Sequence, residues 1–252
     1  MSFLEIQNLT KIYNQYDIYP KVALNQLSMK IEKKDFICIM GASGSGKTTL
    51  VNILSTIDQA TSGTVLIDGK NILLLSEKEK ALMRKTKIGF IFQNYNLIES
   101  MTIKDNILFS LRINHEKQEI QRSRLETLTQ QLDIQDILHK YPSQCSGGQQ
   151  QRAAIARAMI MKPEIIFADE PTGNLDSLNA KELMNLFVKI NKENDTTIIM
   201  VTHDSLVASY SSKMYYMKDG QINISIERKT KSHEDYYREI IAVTSEMNLE
   251  SK

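Results

Sequence analysis

Eight consecutive residues, Gly41-Ala-Ser-Gly-Ser-Gly-Lys-Thr48, satisfy the spacing G-x-x-x-x-G-K-[ST]. Glycines at 41, 44 and 46, with Ser43 and Ser45 between them, let successive backbone N–H groups curl around phosphate oxygens. A helix opening at the end of the loop would add its positive pole to the same anion site. In a bound nucleoside triphosphate such as ATP, Lys47 would reach the β- and γ-phosphates, Thr48 would offer its hydroxyl to Mg²⁺, and Thr49 would contact the α-phosphate.

A second constellation ends the apolar run Ile165-Ile-Phe-Ala-Asp-Glu170. Asp169 is expected to hold Mg²⁺ at one remove. Glu170, one residue further on, is placed to orient and deprotonate a water for in-line attack on the γ-phosphate. Pro171 prevents an immediate helix and keeps both acids at the strand's mouth. Gln93, after the run IGFIF, could bridge Mg²⁺ and the attacking water through its amide. His203, in VTHD, could hydrogen-bond the γ-phosphate. A lone histidine at a strand end is more often structural, but four strand ends near 40, 93, 169 and 203 are expected to converge on one sheet edge.

These residues need a scaffold, and the apolar patterning supplies one. FLEIQNLTKIY, VALNQLSMKI and DFICIM read as strands, the last continuous enough to be buried on both faces. Leu50, Ile53, Leu54 and Ile57 share one face of a helix after the loop. TSGTVLIDG reads as a turn and edge hairpin, and Ser76 to Glu79 as a capping box opening a helix to about Lys85. From Asn94 to Met161 the β-branched runs give way to polar, helical texture. Strand texture returns at EIIFAD, followed by a helix from about Ser177 with Ala180, Leu183, Met184, Phe187 and Ile190 inward. TTIIMVTH, KMYYMKD and QINISIE complete the strands. The expected division is a nucleotide-binding α/β core of residues 1–93 and 162–227, an inserted helical subdomain of 94–161, and a tail of 228–252. Tyr236, Ile240, Val243 and Met247 form a stripe in that tail, suited to its own domain or to a docking surface.

Composition narrows the function classes. A formal net charge of +1 lacks the basic footprint of a protein bound to nucleic acid by charge alone. No apolar run approaches the roughly 18 residues of a membrane span. The start, MSFLEIQNLTKIYN, is not expected to be a secretory signal. Two cysteines, Cys38 and Cys145, suit a reducing compartment. Six of only ten glycines fall at 41, 44, 46, 147, 148 and 173, while Gly63, Gly69, Gly89 and Gly220 read as ordinary turns.

Ser146-Gly147-Gly148-Gln149 before a helix resembles the signature motif of ATP-binding cassette (ABC) ATPases. The order GASGSGKTT, Gln93, SGGQ, IIFADE, GNLD at 173–176 and His203 is similar to that family over about residues 3–226. The resemblance implies a P-loop α/β fold of ABC type, with a mixed sheet, an N-terminal antiparallel β part and an inserted helical subdomain. It implies a head-to-tail dimer with two ATP molecules at the interface, each facing Ser146, Gly147, Gly148 and Gln149 of the other copy. Asn174 and Asp176 then belong to the loop between the two sites, and Tyr13 to the aromatic that stacks on adenine. It also implies an integral-membrane permease, docking near Gln93–Met101, and a place on the cytoplasmic face of a bacterial membrane. Cys145 stands where the family usually has leucine, and a small apolar residue there should keep the turn.

ADEPTGNLDS and GFIFQNYNLI resemble the branch serving macrolide export, lipoprotein release, cell division and antimicrobial-peptide resistance. STIDQ, KYP before the signature, TIIMVTHD and ASYSSKMYYMKDGQI look most like its bacitracin-type group. The alternative keeps the ATPase but powers lipoprotein release, cell division or another mechanical task. A remoter one is a soluble cassette acting on DNA or ribosomes. Against it stand the near-neutral charge and the mere 99 positions between Lys47 and Ser146, with no room for a long coiled coil.

Overall fold

The computed structural model describes residues 2–249, so Met1 and the last three residues of the expected tail lie outside it. Its first sheet is antiparallel, in the order β2 (Lys21–Ile31), β1 (Leu4–Tyr13), β4 (Ser62–Ile67), β5 (Lys70–Asn71). The second has the order β10 (Gln221–Glu227), β9 (Lys213–Lys218), β3 (Phe36–Met40), β8 (Thr197–Val201), β7 (Ile165–Asp169), β6 (Ile88–Ile91). All its neighbours are parallel except the β9–β10 hairpin. This is the mixed sheet with an antiparallel N-terminal part that the sequence resemblance implied.

The continuous apolar runs follow from a sheet buried on both sides. Ile37 and Ile39 of β3, Ile165 and Phe167 of β7, and Ile199 and Val201 of β8 join a core shared with the antiparallel sheet and α1 (Lys47–Leu54). The alternating residues Cys38, Met40, Ile166, Ala168, Ile198 and Met200 join the opposite core. Covering that second face are α3 (Ile103–Ile113), α4 (Gln118–Gln131), α5 (Gly147–Met159), α6 (Ser177–Asn194) and α8 (His233–Leu249). Helix α2 (Glu77–Thr86) opens with the expected capping box, Ser76 and Glu79 bonding each other's backbone N–H. The short α7 (Ser205–Ala208) follows β8.

Three local expectations need correction. Helix α1 ends at Leu54, so Ile57 lies in the turn beyond it and is 55% exposed. Asn52 causes this turn, its carbonyl accepting from the N–H groups of both Ile57 and Asp58 at 2.8 and 3.1 Å. Gly89 is no turn residue but sits inside β6, where a Cβ would lie 2.9 Å from the Ala158 carbonyl oxygen of α5. Strand β6 itself stops at Ile91, two residues before Gln93. In the tail, Tyr236 and Ile240 are fully buried, and Met247 and Val243 join the same core, so the stripe of α8 faces its own domain.

Candidate active site

The parallel strands deliver their C-terminal ends to one cleft of about 660 Å³. Gly41, Ala42, Ser43, Gly44, Gly46, Lys47, Thr48 and Thr49 form its floor. Gln93, Asp169, Glu170 and His203 line the side formed by the strand ends, and Tyr13, Lys21 and Ala23 the side of the antiparallel sheet. The convergence expected from four strand ends is therefore present.

The loop's course depends on glycine at position 46, where φ is +102° and a Cβ would come within 2.3 Å of the Ala23 carbonyl oxygen. Lys47 Nζ folds back over the loop and donates to the carbonyls of Gly41 and Ala42, both at 2.8 Å. Ser45 departs from its expected place. It is 6% exposed, is not part of the cleft lining, and its Oγ is buried without a partner beside Gly41. Its N–H is already given to the Ala42 carbonyl.

Electrostatics in the cleft are set by burial and by two neighbouring acids. Burial pushes the Asp169 carboxyl up and Glu170 pushes it further, with Lys47 opposing. Burial pushes the Lys47 ammonium down, against Glu170 and Asp169. A cation in the cleft would relieve the repulsion between the two carboxylates.

Glu170 is held from two sides. His203 Nδ1 lies 2.9 Å from its Oε1, and the Thr202 hydroxyl donates to its Oε2 at 3.2 Å. The backbone at Glu170 adopts φ +45°, a left-handed conformation that costs roughly 1–2 kcal/mol for a residue with a side chain. It is maintained by Glu170 N–H donating to Val201 O and by Gly173 N–H donating to Glu170 O. Gln151, fully buried on α5, donates to the Pro171 carbonyl at 2.8 Å and ties the turn to that helix.

Ser146, Gly147, Gly148, Gln149 and Asp176 do not line this cleft. The first four form the start of α5, where Ser146 and Gln149 make a reciprocal capping box. Asp176 caps α6, accepting from the N–H groups of Leu178 and Asn179. The two helix starts are neighbours: a Cβ on Gly148 would lie 3.1 Å from Asn179 Oδ1. On its other side, a Cβ on Gly147 would lie 2.9 Å from the Tyr95 hydroxyl.

Segment 93–101 is fixed by side chains from two helices. Buried Asn106 of α3 accepts from Ile98 N–H and donates to the carbonyls of Ile98, Met101 and Thr102. Arg157 of α5 donates to the carbonyls of Tyr95 and Asn96, both residues with left-handed backbone. Cys145 is half-buried, its thiol 3.5 Å from the Tyr141 carbonyl.

Two site residues escaped the sequence reading. Lys21 reaches the cleft because β1 and β2 pair Tyr13 with Lys21, a register no local pattern announces. Thr202 lies beside His203 in the run VTHD, which was the one available signal, but its contact with Glu170 appears only when β8 and β7 are paired.

Among the described residues no helix is long and apolar enough to cross a membrane. The family model described as "ABC transporter" matches residues 24–173. The chain is 43% identical to the bacitracin export ATP-binding protein BceA of Halalkalibacterium halodurans, across 96% of this chain and 95% of that protein. It is 42% identical to the macrolide export ATP-binding/permease protein MacB of Syntrophobacter fumaroxidans, across 88% of this chain but 31% of that one. Among solved structures, the dimeric post-hydrolysis state of the ATP-binding cassette MJ0796 with ADP and Pi matches with a TM-score of 0.81. Identity there is 36%, covering 89% of this chain and 98% of that one. A cleft floored by a glycine-rich loop and flanked by an anchored glutamate thus occurs in a chain that belongs to the ABC transporter family and is an ATPase of its ATP-binding cassette type.

Proposed function

We propose that this chain is the motor subunit of a bacterial transporter, hydrolysing ATP to drive a separate integral-membrane permease in bacitracin-type antimicrobial-peptide export or resistance. The observation that carries the reading is the cleft that sets Lys47 opposite a Glu170 gripped by Thr202 and His203. The similarity to BceA, which extends along 96% of this chain, favours the peptide-antibiotic group.

In this reading Gly41, Ser43, Gly44, Gly46, Lys47, Thr48 and Thr49 hold the phosphates, and Tyr13 stacks on adenine. Mg²⁺ fits the donor set: Thr48 and Gln93 present hard oxygens that would hold it, with Asp169 holding it at one remove. When bound, Mg²⁺ neutralises charge on the phosphate oxygens. Glu170 accepts the proton of the attacking water, Gln93 helps position that water, and His203 orients Glu170 and the γ-phosphate.

The second copy supplies what this cleft lacks. Ser146, Gly147, Gly148 and Gln149 open α5 and stand ready as an anion cradle for the ATP of a partner, with Asp176 in the loop between sites. Exclusion of water between two such cradles favours hydrolysis only in the closed dimer. In this reading residues 94–161 form the inserted helical subdomain on the core of 1–93 and 162–227, with α5 packed against β6. The permease would dock at Gln93–Met101, where Tyr95 already touches the signature turn. In this reading the chain works at the cytoplasmic face of the membrane. The net charge of +1 supports no role on nucleic acid.

The test is to tag the Glu170→Gln variant in its native cell, solubilise membranes gently with ATP, and identify what co-purifies. A single large permease together with bacitracin sensitivity on deletion is the expected result. Lipoprotein-release or division machinery would move the chain to another member of the branch, and absence of any membrane protein would refute the transporter reading.

A further inference from the structure

At the adenine end of the cleft, Tyr13 does not stand alone. Its hydroxyl donates to Asp58 Oδ2 at 2.7 Å and lies 3.4 Å from the Thr49 hydroxyl. The other Asp58 oxygen is 2.7 Å from Lys11 Nζ, which also donates to the Gln59 carbonyl at 2.7 Å. The same ammonium sits 4.6 Å from the centre of the Tyr13 ring. Lys11 and Tyr13 are two apart on β1 and so project from the same side of the strand. Asp58 comes from the turn after α1, whose geometry is fixed by the two bonds to the Asn52 carbonyl.

This arrangement closes a ring of contacts. Lys11 covers a face of the tyrosine and is not part of the cleft lining, whereas Tyr13 is. The phenol is therefore pinned at its hydroxyl and packed by the cation, with the remaining ring surface left toward the cleft. An unpinned tyrosine at the end of a strand would have to lose side-chain freedom on binding, a cost that preorganisation removes. The anchor also spans two elements: Asp58 ends the α1 turn and Thr49 belongs to α1, so the platform is registered against the phosphate loop rather than against β1 alone.

We propose that Asp58 and Lys11 are positioning residues for nucleotide-base binding, holding Tyr13 as a preset stacking platform. The proposal rests on the reading of Tyr13 as the adenine contact. Its consequence is selective: disturbing the anchor weakens binding of the base and leaves binding of the phosphates alone.

The experiment compares ATP with inorganic tripolyphosphate, which has no base, by calorimetry on the full chain. Base–aromatic stacking is sequence-tolerant and worth enough that Tyr13→Ala should raise the Kd for ATP about tenfold, with tripolyphosphate changed by less than about twofold. Asp58→Ala should raise the ATP Kd about threefold to fivefold with the same indifference of tripolyphosphate, because the ring stays but its orientation is no longer preset. Asp58→Asn should recover most of the loss, since its amide oxygen still accepts from the phenol. Tyr13→Phe should resemble Asp58→Ala, and the double variant should cost no more than either alone.

Three results would overturn the proposal. Equal weakening of ATP and tripolyphosphate in Asp58→Ala would mean general damage to the α1 turn. A loss in Tyr13→Ala without any loss in Asp58→Ala or Tyr13→Phe would leave Tyr13 as the base contact and remove Asp58 and Lys11 as its positioners. No effect of Tyr13→Ala on ATP would refute the base reading itself, and the proposal with it. Should Asp58→Ala fail to fold, the Asp58→Asn and Tyr13→Phe pair carries the comparison.

Discussion

Thr202→Val is the sharpest probe of the hydrolytic geometry. Valine keeps the shape of a side chain that is fully buried, so the change subtracts a hydroxyl and little else. That hydroxyl donates to Glu170 Oε2 at 3.2 Å and accepts from Asp204 N–H at 3.1 Å. A hydrogen bond to a charged group is worth about 1.5–3 kcal/mol. His203 still holds the other oxygen of Glu170 at 2.9 Å, so the lower end applies. About 1.4 kcal/mol of lost positioning corresponds to roughly a tenfold fall in kcat. Loss of the bond from Asp204 N–H should cost about 1 kcal/mol of folding stability. The assay is steady-state ATP hydrolysis at saturating ATP, with thermal unfolding alongside, on wild type, Thr202→Val and Thr202→Ser. Serine keeps the donor and should retain most of the rate. A valine variant within about twofold of wild type, or a serine variant as slow as valine, would refute the claim that Thr202 works through Glu170.

Glu170→Gln should bind ATP and accumulate as a stable dimer on size exclusion, and wild-type turnover in that variant would remove Glu170 as the base. Lys47→Ala should abolish measurable ATP affinity by calorimetry, and unchanged binding would overturn the phosphate-loop assignment. Gly46→Ala should lose folding stability as well as binding, because its Cβ would stand 2.3 Å from a backbone oxygen at φ +102°; a normal melting curve would contradict that geometry. Glu79, exposed and bonded to Ser76 and Lys70, has its carboxyl held down to about 2 from an ordinary 4.5. A depressed folded value means the unfolded chain binds the proton more readily, so this contribution is present above pH about 4.5 and is lost as pH falls toward 2. Glu79→Ala should accordingly show a flatter pH dependence of stability across that window.

The strands themselves and the phosphate cleft were legible because both depend on short, contiguous patterns. A loop of eight residues carries its own geometry, and DFICIM, EIIFAD and TTIIMV announce burial on both faces by being apolar throughout. What escaped depends on contacts between distant segments. Ile57 fits the helical period of α1, yet the bonds to Asn52 end the helix first. Gly89 was read as a turn because glycine in a strand has no local signal distinct from glycine in a loop; only the approach of Ala158 explains it. Ser45 matches the loop's spacing but turns inward, since a motif specifies residue types and not the direction of each side chain. Lys21 and Thr202 enter the site through strand register, a property of pairs rather than of either strand.

Arg157 gives the segment after Gln93 a mechanical character. Its guanidinium is desolvated by burial and spends its donors on two peptide carbonyls, those of Tyr95 and Asn96. A joint between a permanent cation and a carboxylate would loosen in acid or concentrated salt. A joint made with carbonyl dipoles has no proton to gain and no opposite full charge whose attraction salt would screen. The linkage between α5 and the segment after Gln93 therefore behaves as a rivet rather than a clasp, holding the two together without depending on the titration of any carboxylate.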